Sequence, residues 1–184
     1  MRVDNAWIVT YTGKRFHPLT PRIEDICIED IAHGLSNICR FTGQCREYYS
    51  VAQHSILCAS YAPVRLRLSM LLHDASEAYL CDVSRPVKHA PGMEAYRAAE
   101  LRLQTLIGQR YGVEFDDALV HEIDNRMLMT ERRDLVDNTC TWSVTNKPPY
   151  PETIIPVLPK QAEQIFLETA HTLLSDGRET SVRL

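Results

Sequence analysis

Nowhere in the 184 residues do 18 apolar side chains follow one another, so the sequence holds no run that reads as a membrane-spanning helix. The opening stretch MRVDNAWIVTYTGKRF has no long apolar segment behind its early arginine and does not read as a secretory leader. The six cysteines (Cys27, Cys39, Cys45, Cys58, Cys81 and Cys140) include no Cys-x-x-Cys pair, which argues for reduced thiols and against a cysteine-based zinc site. A soluble, cytoplasmic chain with no membrane partner is the expectation. The net charge of −4 and pI near 6.0 lack the basic excess of a protein that coats a nucleic-acid polymer, although a local basic pocket for a small anion stays compatible with them. There is no internal repeat.

What is present is a 45% apolar composition, enough for one core and short for two, so residues 1–184 are expected to form a single domain. In residues 6–20, Trp7, Val9 and Tyr11 alternate ahead of Gly13 and Pro18, the pattern of a short strand or hairpin. Beyond it the chain reads as helices. One runs from Pro21 to Gly34 and is followed by a polar turn around Gly43. Ser50-Val51-Ala52-Gln53 is a capping box that opens a helix through Tyr61, and Pro63 sits at the start of the next, Val64 to about Leu80. Met93 to Gln109 and Asp117 to Val136 are two more, the second capped by Asp116. Five of the ten prolines fall in 138–159, which rules out a regular helix there; with Trp142 and Tyr150 present, the segment is expected to be an ordered loop that is functional or packs across a neighbour. A last helix spans about 160–174, and the chain end reads as frayed.

The chemistry gathers in SMLLHDASEAYLCDVSRPVKH, residues 69–89. An apolar run ends there on His73, Asp74, Glu77 and Asp82, and burying uncompensated charges costs several kcal/mol each. On a continuous helix His73 and Asp74 stand about 100° apart, and Glu77 follows them by four and three residues, so all three can look toward one edge. Imidazole nitrogen with carboxylate oxygen suits a divalent transition metal, and such a cation compensates buried carboxylates. The simpler alternative is a solvated HDxxE face at the end of a helix. His54, in the preceding capped helix, and Asp124, in HEIDNRMLMTERRD, tip the balance toward a metal.

The set His54, His73-Asp74 and Asp124 resembles the H…HD…D signature of the HD-domain metal-dependent phosphohydrolase superfamily. Within it, His73, Asp74, Ala75, Ser76, Glu77, Asp82, Pro86, Val87 and Lys88 match without a gap the HDASE…D…PVK motif of the YfbR-like 5'-deoxynucleotidases. Arg40-Phe41 is similar to the Arg-Trp pair of those enzymes, and the resemblance covers roughly residues 30 to 135. It implies an all-α, HD-domain helical bundle in which His54, His73, Asp74 and Asp124 bind one divalent ion: manganese, cobalt, zinc or magnesium. It also implies a catalytic Glu77, an Arg40 that meets phosphate beside Phe41, and substrate contacts from Asp82 through Arg85 and at Lys88. Each of these has a plainer reading. Arg40 would pair with a surface acid, Glu77 would orient the free ring nitrogen of His73, and Asp82 would cap the turn after the helix.

Ser84-Arg85 departs from the motif, because the nucleotidases carry Pro-Thr there. The expected activity is metal-dependent hydrolysis of (deoxy)nucleoside 5'-phosphates, releasing phosphate from a deoxynucleoside monophosphate, with Asp74 and Arg40 beside Glu77 in the catalytic set. The alternative is a triphosphohydrolase like the phage dATP enzymes, in which Arg85, Lys88 and Arg46 meet a larger negative charge and tripolyphosphate leaves. A non-catalytic HD binding module is the third reading. Of the remaining histidines, His17 and His33 read as turn or cap groups, His171 as surface and His121 as structural, and His89 is left out of the site. The base, the sugar, the native metal and a homo-oligomeric state stay open.

Overall fold

A computed structural model describes residues 6–136, 139, 142 and 144–181, with backbone alone for 177–181. The alternating residues near the start form a hairpin: β1 (Ile8–Val9) pairs antiparallel with β2 (Arg15–Phe16), Ile8 opposite Phe16. Gly13, at φ 82°, supplies the left-handed residue of the turn. All other regular structure among the described residues is helical, so the fold is all-α with a short N-terminal hairpin.

The first helix is displaced from its expected place. Ile23–Asp25 makes only a 3-10 turn, and α1 runs from Ile28 to Asn37 rather than from Pro21 to Gly34. Gly34 does not end the helix. A Cβ there would lie 2.9 Å from both Cβ and O of Ala78, so the glycine is what lets α1 approach the chain at 77–80. α2 (Val51–Tyr61) begins where the capping residue places it, with Ser50 Oγ accepting from Gln53 N at 3.1 Å. The other half of the capping box is spent elsewhere: Gln53 Nε2 donates to Ile155 O at 2.7 Å, and Gln53 Oε1 accepts from Val157 N at 3.0 Å.

The helix expected from Val64 to Leu80 is interrupted. A 3-10 turn (Val64–Leu66) leads into α3 (Arg67–Leu71), residues 72–76 form turns, and α4 (Glu77–Leu80) follows. Next come α5 (Arg85–Lys88), α6 (Glu94–Tyr111) and α7 (Ala118–Leu135). Asp117, not Asp116, caps α7, accepting from Leu119 N at 2.8 Å. α8 (Pro159–Ser181) extends beyond the expected end near 174.

Between α7 and α8 the described residues are irregular, as the prolines require; Asn138 and Cys140 lie outside the described residues. This segment is laid across α7. Arg126 Nε donates to Pro148 O at 2.8 Å, Thr130 Oγ1 accepts from Tyr150 N at 2.9 Å, and Arg133 donates to Tyr150 O and Glu152 O at 2.6 and 2.7 Å. Tyr150 stacks on Tyr61 of α2, with ring centroids 3.6 Å apart.

α2 lies at the centre, packed against α1, α3, α7 and α8. One core joins Phe16, Ile31, Leu35, Tyr49, Met70, Leu71, Leu72, Met127 and Phe166, all fully buried. Among the described residues no helix is long and apolar enough to cross a membrane.

Candidate metal centre

Four side chains that the sequence singled out come from three elements. α2 contributes the buried His54, the turn between α3 and α4 contributes His73 and Asp74, and α7 contributes Asp124. His54 Nε2 lies 3.2 Å from His73 Nε2, 3.2 Å from Asp124 Oδ1 and 3.7 Å from Asp74 Oδ2. His73 Nε2 lies 3.4 Å from Asp74 Oδ2 and 3.9 Å from Asp124 Oδ1. Side-chain exposure rises from 0% at His54 and 8% at His73 to 22% at Asp74 and 38% at Asp124, so the cluster opens to solvent on its carboxylate side.

The other ring nitrogens fix the tautomers. His73 Nδ1 is 2.6 Å from the carbonyl oxygen of Met70, an atom that only accepts, so Nδ1 carries the proton. His54 Nδ1 is 2.6 Å from Oε1 of the fully buried Glu131. Burial opposes charge on Glu131, but the Arg40 guanidinium and His54 hold its pKa below the usual value, so it accepts and this nitrogen donates as well. With each Nδ1 proton committed elsewhere, each ring has only Nε2 left to offer, and the two Nε2 atoms meet at 3.2 Å, an arrangement that calls for positive charge, as protons or a cation, between the rings and the carboxylates.

The electrostatics agree. Burial and the Arg40 guanidinium disfavour a charged His54, yet Cys58, Glu131 and Asp124 outweigh them and hold its pKa well above the ordinary value. Burial likewise opposes charge on His73, and Asp74 and Asp124 overcome it. Burial raises the pKa of Asp124, but the hydrogen bonds from the two rings win and leave it well below the usual carboxylate range. The cluster draws in positive charge.

Cys58, one helical turn after His54, is a fifth donor that sequence reading set aside with the other thiols. His54, Cys58 and His73 form a group whose donor atoms all lie within 4.8 Å of one another, and it could hold a metal ion. Burial pushes the Cys58 thiol up to about 11, so without a metal it stays protonated; its Sγ is 3.6 Å from His54 Nε2.

Arg40 does not pair with a surface acid. Its Nη2 donates to Glu131 Oε2 at 3.0 Å and its Nη1 faces Asp74 Oδ2 at 3.5 Å, which places a guanidinium at the edge of the cluster. Tyr49 adds a hydroxyl to Glu131 Oε1 at 2.9 Å. The backbone that presents Arg40 is unusual: Phe41 and Thr42 both take left-handed conformations, φ 54° and 51°, which non-glycine residues adopt at a cost of about 1–2 kcal/mol each. The loop is closed by Arg40 N donating to Tyr49 O at 2.9 Å, and the Phe41 ring stacks on Trp142 with centroids 5.9 Å apart.

Glu77 is the buried first residue of α4. Its Oε2 is buried without a hydrogen-bond partner, and its pKa is pushed well above the usual range by burial and then by Asp74 and Asp82. It does not orient His73, since Met70 O takes that role. Lys88 is not a free cation: Nζ donates to Glu100 Oε1 at 2.6 Å and lies 3.8 Å from Glu77 Oε1. Asp82 is partly buried, and burial raises its pKa. Arg85 is exposed at the start of α5.

No protein-family model matches the chain. Its sequence is 38% identical over 172 residues to the uncharacterised protein YfdR of Escherichia coli, covering 91% of this chain and 96% of that protein. The chain belongs to the YfdR family. A second relative, an uncharacterised protein of Rhodobacter capsulatus, is 42% identical over 120 residues, 60% of this chain and 61% of its own length.

The other histidines divide. His121 and His171 are exposed, and His89 is exposed after α5. His33 is no cap: it stacks on Tyr11 at 3.9 Å and bonds Glu163 Oε2 at 3.1 Å, tying the hairpin to α1 and α8. Glu131 is the largest omission of the sequence reading. It follows Asp124 by two helical turns, a spacing that places both on one face of α7.

Proposed function

We propose that the chain is an HD-type, metal-dependent phosphohydrolase acting on (deoxy)nucleoside 5'-phosphates, and that its reaction is release of phosphate from a deoxynucleoside monophosphate. The observation that carries the metal is the meeting of two imidazole Nε2 atoms at 3.2 Å with both Nδ1 protons committed elsewhere, beside two carboxylates. His54, His73, Asp74 and Asp124 would hold the ion, with Cys58 behind them. The mixed nitrogen and oxygen donors fit manganese, cobalt or zinc better than magnesium. The nucleotide part of the reading rests on the resemblance of the HDASE…D…PVK motif.

A bound divalent ion supplies Lewis-acid charge that acidifies water and polarises a phosphoryl oxygen. In hydrolysis the water oxygen forms the new P–O bond, the ester P–O bond breaks, and the departing 5'-oxygen takes a proton. Arg40, anchored by Glu131 and with Nη1 beside Asp74, stabilises charge on the phosphoryl oxygens. Glu77, whose carboxyl burial pushes toward the protonated form, moves the proton through its unpartnered Oε2. Lys88 steadies Glu77 through Oε1.

The test is a panel of nucleoside mono- and triphosphates with manganese, cobalt, zinc or magnesium, the products being identified. Nucleoside and orthophosphate from monophosphates are expected. Asp74→Ala should abolish turnover and metal binding while circular dichroism stays helical; Glu77→Ala should keep the metal and lose about two orders of magnitude or more in rate. One observation favours a triphosphate instead: the exposed Arg85 shares its short helix with Lys88 and makes no ion pair with any described residue. Nucleoside with tripolyphosphate as products would establish that reading. Metal binding with no hydrolysis of any nucleotide would leave a binding module.

A further inference from the structure

The helix that should carry His73 and Asp74 is broken between Leu72 and Ser76, and the break has a specific occupant. In a continuous helix Ser76 N–H would donate to Leu72 O four residues earlier. Here Ser76 N donates instead to Gln104 Oε1 at 3.1 Å, and Gln104 Nε2 donates to Leu72 O at 2.8 Å. One side-chain amide from α6 replaces the missing backbone bond, acceptor to one end and donor to the other. A side chain inserted into the helical ladder is a known cause of a local opening. The residues between the two contacts are His73, Asp74 and Ala75. On a regular helix His73 and Asp74 would diverge by about 100°. In the opened turn, His73 Nε2 and Asp74 Oδ2 come to 3.4 Å.

We propose that Gln104 is a positioning residue: its amide, inserted between Leu72 O and Ser76 N, holds the turn open so that two consecutive residues face one metal ion. The inference rests on the reading that His73 and Asp74 bind a metal. α6 supports the same stretch of chain at further points on that face. Glu100 holds Lys88 Nζ at 2.6 Å, Arg97 Nη1 donates to Lys88 O at 2.7 Å, and Tyr96 donates to Cys81 O at 2.9 Å. Gln104 alone among these touches the two edges of the ligand turn.

The experiment titrates cobalt(II) into the whole protein by calorimetry and records the visible absorption of the bound ion. Gln104→Leu keeps similar bulk and removes both hydrogen bonds; Gln104→Glu keeps an acceptor for Ser76 N and removes the donor to Leu72 O. Arg102→Met, on the same helix, breaks only the bond from Arg102 Nη1 to Leu19 O, 2.8 Å long in the wild type, and serves as the control for general loosening of α6. Expected are affinity about tenfold or more weaker in Gln104→Leu, a smaller loss in Gln104→Glu, altered cobalt bands in both, and no change in Arg102→Met. Wild-type affinity and bands in both Gln104 variants overturn the proposal and leave the metal reading intact. Equal weakening in Arg102→Met also overturns it. If the wild type binds no cobalt, manganese or zinc, the metal reading fails and the proposal with it. If Gln104→Leu does not fold, Gln104→Glu decides.

Discussion

Three donors converge on the two oxygens of Glu131, a carboxylate with no exposure at all: His54 Nδ1 and the Tyr49 hydroxyl at Oε1, and Arg40 Nη2 at Oε2. Burial alone would drive Glu131 toward its protonated form, but Arg40 and His54 hold its pKa below the usual value. It therefore sets the tautomer of one candidate ligand and the place of the guanidinium together. Glu131→Gln keeps the shape and removes the charge. Metal affinity measured by calorimetry should fall about tenfold to a hundredfold. The fold should lose about 3 kcal/mol, read from chemical unfolding, because Arg40 is left buried with only the more distant Asp74 opposite. Unchanged affinity would mean that His54 needs no carboxylate behind it. His73 and Asp74 were legible as candidates because histidine and aspartate at the end of an apolar run are costly without a purpose, and His54 and Asp124 through their likeness to the H…HD…D signature. Glu131 was not, since in Thr130-Glu131-Arg132-Arg133-Asp134 it reads as one charge in a solvated face. Cys58 was hidden by the opposite logic: a lone thiol in an apolar helix looks like core.

Among the elements, the helix starts and ends that depend on local chemistry were readable: Ser50 caps α2, and α6 and α7 begin and end within a few residues of their expected bounds. The elements shaped by distant residues were not. Leu68 to Leu72 gives a pattern that any helix would share, and the bonds at its break come from Gln104, thirty-two residues beyond Leu72 and twenty-eight beyond Ser76. Gly34 looked like a stop because its packing against Ala78 is invisible until the chain is folded. The hairpin poses a related question, since two strands of two residues cannot hold themselves together in water. Asp30 of α1 supplies an anchor, with Oδ1 accepting from Thr12 N at 2.7 Å and Oδ2 accepting from Thr12 Oγ1 at 3.0 Å and Cys27 Sγ at 2.9 Å. Burial opposes the ionised form, but these hydrogen bonds prevail and lower the pKa of Asp30. A carboxyl with a depressed folded pKa contributes stability that is complete above the unfolded value of about 3.9 and is lost as pH falls through the folded one. Asp30→Asn should thus cost about 1–3 kcal/mol near neutral pH, with the gap to wild type in urea unfolding closing below about pH 4. A gap of the same size at pH 3 would show that shape, not charge, secures the hairpin.

For the molecule as a whole, the candidate centre is a junction: α2, the turn at 72–76 and α7 meet there, and α2 is also the helix packed on α1, α3 and α8. An ion that binds only the folded arrangement stabilises all of it by mass action, about 2.7 kcal/mol when its free concentration is a hundred times the Kd. In a chain of this size that is a rise in Tm of about 5–10 °C. Cobalt, manganese or zinc should produce the rise, and a chelator should reverse it. Calcium, which prefers oxygen ligands alone, should do much less. Asp124→Asn is the discriminating variant, because Asp124 is the most open of the four side chains and its loss leaves the core intact. It should melt near the metal-free wild type and gain little from the ion. Hydrogen exchange then locates the effect: added metal should slow exchange in α2, in the 72–76 turn and at the start of α7, and leave the exposed hairpin unchanged. An equal rise in Tm for Asp124→Asn, or slowing confined to other elements, would place the bound ion somewhere other than this junction.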